Sequence, residues 1–361
     1  MRPETEGQLA EIVAGLSEPV RIVGGGTRGV AGPGTELSVA GLSGIELYEP
    51  GALTLVAKAG TPVAEIEAAL ATEGQRLAFE PMDHRGLMGT DGAPTIGGVV
   101  AANISGPRRV QAGACRDFLL GVRYVDGMGQ VIKNGGRVMK NVTGYDLVKL
   151  MAGSWGTLGV LTEVSLKVLP MAEAEETLLV AVDGTAQAVE AMSAALGSPF
   201  EVSGAAYDPG AGHVLLRVEG FAGSVAYRVE QLRGVVGGFG PVSMADNSAG
   251  LWRSIRDVTA FHGQDGDVWR ISVKPSDAPA LASQLGADGL LFDWGGGLIW
   301  ALVPAGTDLR TKMGDVSGHM TLVRGAGQAK FQPEPAPVAL ISAQLRQRFD
   351  PRGLFNPGLM G

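Results

Sequence analysis

The chain has 361 residues, 45% hydrophobic and 18% charged, which excludes a disordered polymer and exceeds what one hydrophobic core usually covers, so two domains are expected. Its 29 basic and 37 acidic residues leave a net charge of −8 with no lysine or arginine cluster, which argues against nucleic acid as a partner. The single cysteine, Cys115, excludes an intramolecular disulfide and cannot alone ligate an iron–sulfur cluster; Met1-Arg-Pro-Glu-Thr-Glu lacks the apolar core of a signal peptide, and no run reaches the ~18 apolar residues of a spanning helix, so a soluble, cytoplasmic protein is expected.

Leu9, Ile12, Val13 and Leu16 fall at i, i+3, i+4 and i+7, the apolar stripe of a first helix. Val20-Arg-Ile-Val23 reads as a strand running into Gly24-Gly25-Gly26. Strand-like runs follow at 44–48 and 53–59, then a helix opened by Thr61 and Pro62 and stopped by Gly74. Residues 118–125 and 130–133 form a predicted hairpin across Asp126-Gly-Met-Gly129. A short helix is predicted at 144–152 and a strand pair over 157–169, after which Pro170, Glu173, Glu175 and Glu176 mark a polar junction and a domain boundary near 170. Beyond it, strand 177–183, helix 185–197, strands 201–206 and 213–219 and helix 223–236 are followed by strand 268–273, helix 276–286, strands 288–293 and 297–303 and a helix near 306–314. This β-α-β-β-α order, read twice, is the layout of two ferredoxin-like half-units sharing a sheet. A final helix near 336–348 leads to the C-terminus, and the predicted fold class is α+β.

Residues 24–29, Gly-Gly-Gly-Thr-Arg-Gly, satisfy G-x-G-x-x-G, but a dinucleotide fold needs that motif to open a helix. Gly29, Gly32, Pro33 and Gly34 follow at once and disfavour one, so no Rossmann NAD site is expected. The remaining readings are an ordinary turn or a loop whose N–H groups face an anion without a helix dipole. Downstream, Thr95-Ile-Gly-Gly-Val-Val-Ala-Ala-Asn103 places small residues at 97, 98, 101 and 102. They suit either close helix–strand packing or a flat ligand lying on bare backbone. Together the two segments suggest two backbone surfaces closing on one long anionic ligand.

This pairing resembles the flavin-binding domain of the vanillyl-alcohol oxidase and p-cresol methylhydroxylase (PCMH) family. The stretch from Lys140 to Glu163, Lys-Asn-Val-Thr-Gly-Tyr-Asp-Leu-Val-Lys-Leu-Met-Ala-Gly-Ser-Trp-Gly-Thr-Leu-Gly-Val-Leu-Thr-Glu, is similar to the end of that domain in FAD-linked 2-hydroxy-acid dehydrogenases. Phe349-Asp-Pro-Arg-Gly-Leu-Phe-Asn-Pro-Gly358 is similar to their C-terminal signature. Within the family, Asn103-Ile-Ser-Gly-Pro-Arg-Arg109, Val138-Met-Lys-Asn141 and Leu251-Trp-Arg-Ser-Ile-Arg-Asp257 resemble the FAD-binding E subunits of bacterial glycolate oxidases.

The resemblance implies a two-subdomain PCMH-type FAD-binding domain over 1–170, a ferredoxin-like α/β cap over 171–335 and a C-terminal segment, 336–361, returning to the flavin domain. It implies FAD held by Gly24, Gly25, Gly26, Thr27, Arg28, Pro81, Thr95, Ile96, Gly97, Gly98, Ala101, Asn103, Gly159, Val160 and Asn356. It also implies oxidation of glycolate to glyoxylate in a complex with a second flavin subunit and an iron–sulfur subunit, with membrane contact only through those partners at the inner face of the plasma membrane. Two departures bear on mechanism. Thr27 and Arg28 stand where relatives carry a flavin-linking histidine, so the FAD is expected to be noncovalent. His84, His213, His262 and His319 are nowhere paired at ligand spacing, so no metal site is expected and no histidine base is evident.

The catalytic residues are therefore open. Arg253 and Arg270 each follow a tryptophan, and a guanidinium suits a substrate carboxylate, with ion pairing as the competing role. His262 is a third candidate, against a structural role; Arg108 and Arg109 are read as contacts to phosphate, to a partner subunit or to solvent. The lone chain is expected to hold FAD but oxidise 2-hydroxy acids poorly. A self-sufficient D-lactate or other 2-hydroxy-acid dehydrogenase and a noncatalytic flavin-bearing subunit remain the alternatives.

Overall fold

Apolar residues at 160, 161, 164 and 166 are buried along one strand, Val160–Lys167, which forms the centre of a five-stranded antiparallel sheet. The computed structural model describes residues 1–30, 32–136, 144–314 and 316–360, so Val138-Met-Lys-Asn141 and the start of the 140–163 segment lie outside the described residues. The sheet runs Ile45–Glu49, Thr54–Lys58, Val160–Lys167, Leu119–Val125, Val131–Gly135. The strand pair expected over 157–169 is instead this one long strand, joined on both sides (Thr54 opposite Lys167, Val125 opposite Val160), with no turn residue inside it. Only Leu169–Pro170 continues separately, against Gln75–Arg76. Helices Val63–Ala71 and Ile96–Ala101 bury Ile66, Leu70, Ile96, Val99 and Val100 with Leu55, Phe79, Val164 and Leu166.

A second layer holds helix Glu6–Gly15 and the parallel strands Val20–Val23 and Thr35–Ser38. Thr5 Oγ1 accepts from Gln8 N and caps the helix start. Arg352 closes its other end by donating to the carbonyls of Val13, Ala14 and Leu16. The C-terminal segment thereby returns to this layer, and Phe355 forms a parallel bridge with Val20. Among the described residues between the two parallel strands, 24–30 and 32–34, there is no helix.

From Ala174 on, the chain forms an eight-stranded antiparallel sheet: Val242–Met244, Ala174–Ala181, His213–Gly220, Val202–Asp208, Gly289–Asp293, Leu298–Val303, Asp267–Val273, Gly318–Arg324. The two sets of four strands are arranged as mirror images about a single register contact, Tyr207 opposite Phe292. Helices Thr185–Leu196, Ala222–Val236 and Ala278–Leu285 cover one face. The other face buries Leu215, Leu291, Trp300 and Leu302 against Trp252 and Ile255 of helix Ser248–Asp257 and against Met82 and Leu87 of the first sheet's half. Strands 242–244 and 318–324 and helix 248–257 escaped the sequence reading. The helix expected near 306–314 is a single 3-10 turn, Leu309–Lys312, between Gly306 and Gly314 at φ +82° and +55°.

Five charges are buried together where the halves meet. Arg217 donates twice to Glu80 (both 2.9 Å), Arg108 twice to Glu219 (both 2.9 Å), and Arg76 adds a 2.6 Å bond to Glu219. Burial opposes ionisation of Glu219, but the Arg108 hydrogen bonds and the charges of Arg217, Arg108 and Arg76 hold it well below the usual carboxylate range. Arg108, read as a phosphate or partner contact, is thus committed to this network.

Candidate functional site

The first glycine loop packs backbone to backbone on Gly92 and Ala93, just ahead of the second segment. A Cβ at Gly25 would collide with the Ala93 carbonyl, one at Gly92 with the Gly25 carbonyl, and one at Gly24 with Thr95 Oγ1. A Cβ at Gly97 would lie 2.7 Å from the Ala59 carbonyl oxygen. Each of these contacts is with protein atoms, so at these glycines the structure shows close backbone packing. Thr95 Oγ1 also accepts from Gly98 N (3.3 Å), fixing the turn that carries the second segment.

Of the residues named from sequence, Gly24, Gly25, Gly26, Thr27, Arg28, Thr95, Gly97, Gly98, Ala101, Gly159, Val160 and Asn356 line one cleft of about 290 Å³. Asn356 ties three parts of its wall: Oδ1 accepts from Ile22 N (2.8 Å) and Nδ2 donates to the Trp155 carbonyl (2.7 Å). Three named residues do not line the cleft. Ile96 points from the first helical turn into the sheet core and is fully buried. Asn103, at φ +50°, accepts from Arg116 N and supports its own loop. Pro81 is buried next to Met82, which packs against the second half. Trp155 and Ala59 also line the cleft, and no local pattern in the sequence marks either.

Arg28 gives the cleft its charge. It is 9% exposed, and its Nε and Nη2 are buried without a hydrogen-bond partner among the described residues. Burial pulls the guanidinium down to about 10, with Cys115 and Asp83 acting against it. The Lys330 ammonium lies 5.3 Å above the Trp155 ring and is brought down to about 8 by burial and then by Arg28. His84 is buried, with Nδ1 bonded to the Met82 carbonyl, and burial followed by the Arg28 charge keeps it well below its ordinary value, hence neutral. Bare backbone walls and an orphaned buried guanidinium fit a flat, anionic dinucleotide. Cys115 is fully buried and burial pushes its thiol up, so it is inert.

A second cationic cluster bridges the halves. The guanidinium carbons of Arg109 and Arg270 lie 4.5 and 4.9 Å from the ring centre of Trp294, whose Nε1 donates to the Gly106 carbonyl (3.0 Å). Neither guanidinium meets a carboxylate at ion-pair distance among the described residues. Burial, then Arg109, brings Arg270 down to about 10. His319 pairs with Ser272 on the sheet face that carries Arg270, and burial with the Arg270 and Arg109 charges lowers its pKa. The other two candidates fall elsewhere. Arg253 is exposed on helix 248–257, and His262 Nε2 bonds the Asp257 carbonyl (2.8 Å) with its ring against Gly86, a structural position. Among the described residues no three His, Cys, Asp or Glu side chains form a metal-holding group, and no helix is long and apolar enough to cross a membrane.

Comparison with known proteins agrees with this geometry. Residues 1–135 match the FAD binding domain family. Glycolate oxidase subunit GlcE of Escherichia coli is 40% identical over 331 residues, covering 91% of this chain and 87% of that protein. Glycolate oxidase subunit GlcD of Bacillus subtilis is 41% identical over 104 residues, 28% of this chain and 22% of that protein. A solved alkyldihydroxyacetonephosphate synthase superposes with a TM-score of 0.74 over 99% of this chain and 76% of its own, at 16% identity, which shows a shared fold. An FAD-binding fold with a glycine-walled cleft, matched over nearly its whole length by one relative, places this chain in the family of glycolate oxidase subunit GlcE.

Proposed function

We propose that the chain is an FAD-bearing subunit of a complex that oxidises glycolate, a 2-hydroxy acid, to glyoxylate. The observation that carries this is the cleft, with its interlocked glycine walls and an unpaired Arg28, in a chain related to GlcE along most of its length. The partial matches to GlcD and to a D-lactate dehydrogenase of Archaeoglobus fulgidus, 30% identical over 179 residues (47% of this chain, 38% of that protein), support the substrate class. Residues 1–170 are the FAD-binding domain, 171–335 a cap and 336–361 the returning segment. Each four-strand set of the second sheet has the order of a ferredoxin-like βαββαβ unit, which supports that reading of the cap. A second flavin subunit and an iron–sulfur subunit complete the complex, which is cytoplasmic and meets the inner face of the plasma membrane through them.

The bound flavin supplies the hydride acceptor. The chain's own groups do the positioning. Gly24, Gly25, Gly26, Thr27, Gly97 and Gly98 present backbone to the cofactor, and Asn356 holds the walls in register. Arg270 and Arg109, held on Trp294 with no carboxylate of their own, receive the substrate carboxylate in bidentate geometry. Thr27 and Arg28 offer no linking group, so the FAD is noncovalent. Acid denaturation and centrifugation test this: yellow FAD is expected in the supernatant, and fluorescence retained on the polypeptide would overturn it.

A second reading, in which this subunit itself oxidises substrate, is favoured by one observation: His319, whose pKa is lowered, shares a sheet face with Arg270 and is positioned as a proton acceptor. Anaerobic stopped-flow with glycolate on the lone flavin-loaded subunit separates the readings. Bleaching that His319→Gln slows supports oxidation here; no bleaching alone, with turnover in the assembled complex, supports the accessory role.

A further inference from the structure

Arg28 and Lys330 come from opposite halves of the chain; Arg28 lines the cleft and Lys330 lies over Trp155 of its wall, and among the described residues neither has a carboxylate at ion-pair distance. Arg28 follows directly on the Gly24–Thr27 loop, whose successive N–H groups form the kind of concave surface that takes an anion. Its guanidinium lies beside Gly98, where an added Cβ would stand 2.9 Å from Nη1. Lys330 lies on the stretch between strand Gly318–Arg324 and helix Ala336–Phe349. That stretch folds back on the strand, with Leu322 N donating to the Lys330 carbonyl (2.8 Å) and Phe331 bridging Thr321. It then crosses onto the cleft: Phe331 meets Trp155 edge-on at 5.2 Å, and the Lys330 ammonium covers the same ring.

We propose that Arg28 and Lys330 form a two-cation clamp for the diphosphate bridge of the dinucleotide, so that cofactor binding fastens the 325–335 strap of the second half onto the first. This rests on the FAD reading above. Burial lowers Arg28, and burial followed by the Arg28 charge lowers Lys330, so each cation stands to gain from a counter-charge. Asp83, the carboxylate acting on Arg28, is already bonded to Arg85. A doubly charged diphosphate supplies the missing counter-charge, whereas the neutral oxidised ring system does not. A substrate carboxylate is served by the separate Arg109–Arg270 pair.

The test is calorimetric titration of the full-length, flavin-stripped chain with FAD and with ADP, which carries the diphosphate but no isoalloxazine. Arg28→Met and Lys330→Met are each expected to weaken both ligands by about 10–100-fold, the loss of one charge-assisted contact. Lys330→Arg is expected to restore most of the affinity, and raised salt to weaken wild type more than either variant. Unchanged affinity for both ligands overturns the clamp. So does a loss confined to FAD with ADP unaffected, which assigns the cations to the ring system. Wild-type protein that binds no FAD overturns instead the reading on which the clamp rests. Circular dichroism of each variant separates misfolding from a binding defect, and Lys330→Arg tests the charge in a side chain of similar length.

Discussion

The arginines of the Glu80–Glu219 network and those at the cleft and on Trp294 are paired oppositely. Arg76, Arg108 and Arg217 share two carboxylates, Glu80 and Glu219, each donating at least one hydrogen bond to them. Arg28, Arg109 and Arg270 have no carboxylate at ion-pair distance among the described residues. The electrostatic signature follows: Glu80 and Glu219 outweigh burial and raise Arg217, while burial lowers Arg28, Arg109 and Arg270. A buried charge with its partners built in serves the fold. A buried charge left without one costs stability, and that cost is recovered when a ligand brings the counter-charge.

The sharpest break of this contrast is Glu219→Gln. It removes the charge facing Arg108 and Arg76 and is expected to cost about 3–5 kcal/mol, as for a buried network stripped of one partner. Calorimetric melting measures it; a loss below about 1 kcal/mol would show that the network does not hold the halves together. The pH dependence carries the same sign. Glu219 has a folded value below its unfolded one, so its contribution is present above the ordinary glutamate range and is lost as pH falls through that range and below.

Asp293 gives the opposite sign, and a smaller effect. Burial pushes its carboxyl up to about 7, despite the bond it accepts from Trp294 N. Its folded value lies above its unfolded one, so its own contribution to stability is fully present below the ordinary aspartate range and is lost as pH rises to about 7. Asp293→Asn is therefore expected to raise the melting temperature by a few degrees at pH 8 and by much less near pH 4 (roughly 2–4 °C per kcal/mol). An equal gain at both pH values would remove Asp293 from the titrating groups.

The smallest stability effect is expected at Arg270. Arg270→Met removes an unpaired cation and leaves the melting temperature unchanged or slightly higher, the reverse of Glu219→Gln. In the assembled complex, KM for glycolate should rise by about tenfold with kcat changed less, the mark of a lost binding contact. A lowered melting temperature with unchanged KM would make Arg270 structural and erase the contrast.

Most elements were legible because their signals are local. The i, i+3, i+4 stripe of the first helix, the Asp126-Gly-Met-Gly129 turn, the first β-α-β-β-α set and the β-α-β-β part of the second all emerged within a residue or three of their observed bounds. Helix 248–257 was missed although its apolar face, Trp252 and Ile255, is well buried, because it was read as a family motif rather than for its period. Strand 318–324 was missed because its alternation is weak and its partners lie at 267–273. In the cleft, the glycines could be named because composition and spacing mark them, and Asn356 because the C-terminal segment resembles a family signature. Trp155, Ala59 and Lys330 could not, since each matters through a neighbour distant in the chain.

By itself the sequence determined the α+β class, the glycine loop that continues into no helix, and the residues that make close backbone approach possible; these follow from backbone freedom and short-range periodicity. Only the tertiary structure decided which arginines are paired. Nothing near Arg108 in the chain distinguishes it from Arg109, yet one faces Glu219 across the junction and the other stacks on Trp294. Charge pairing depends on distances of a few ångströms between residues more than a hundred positions apart, and those distances exist only once both sheets have formed and docked.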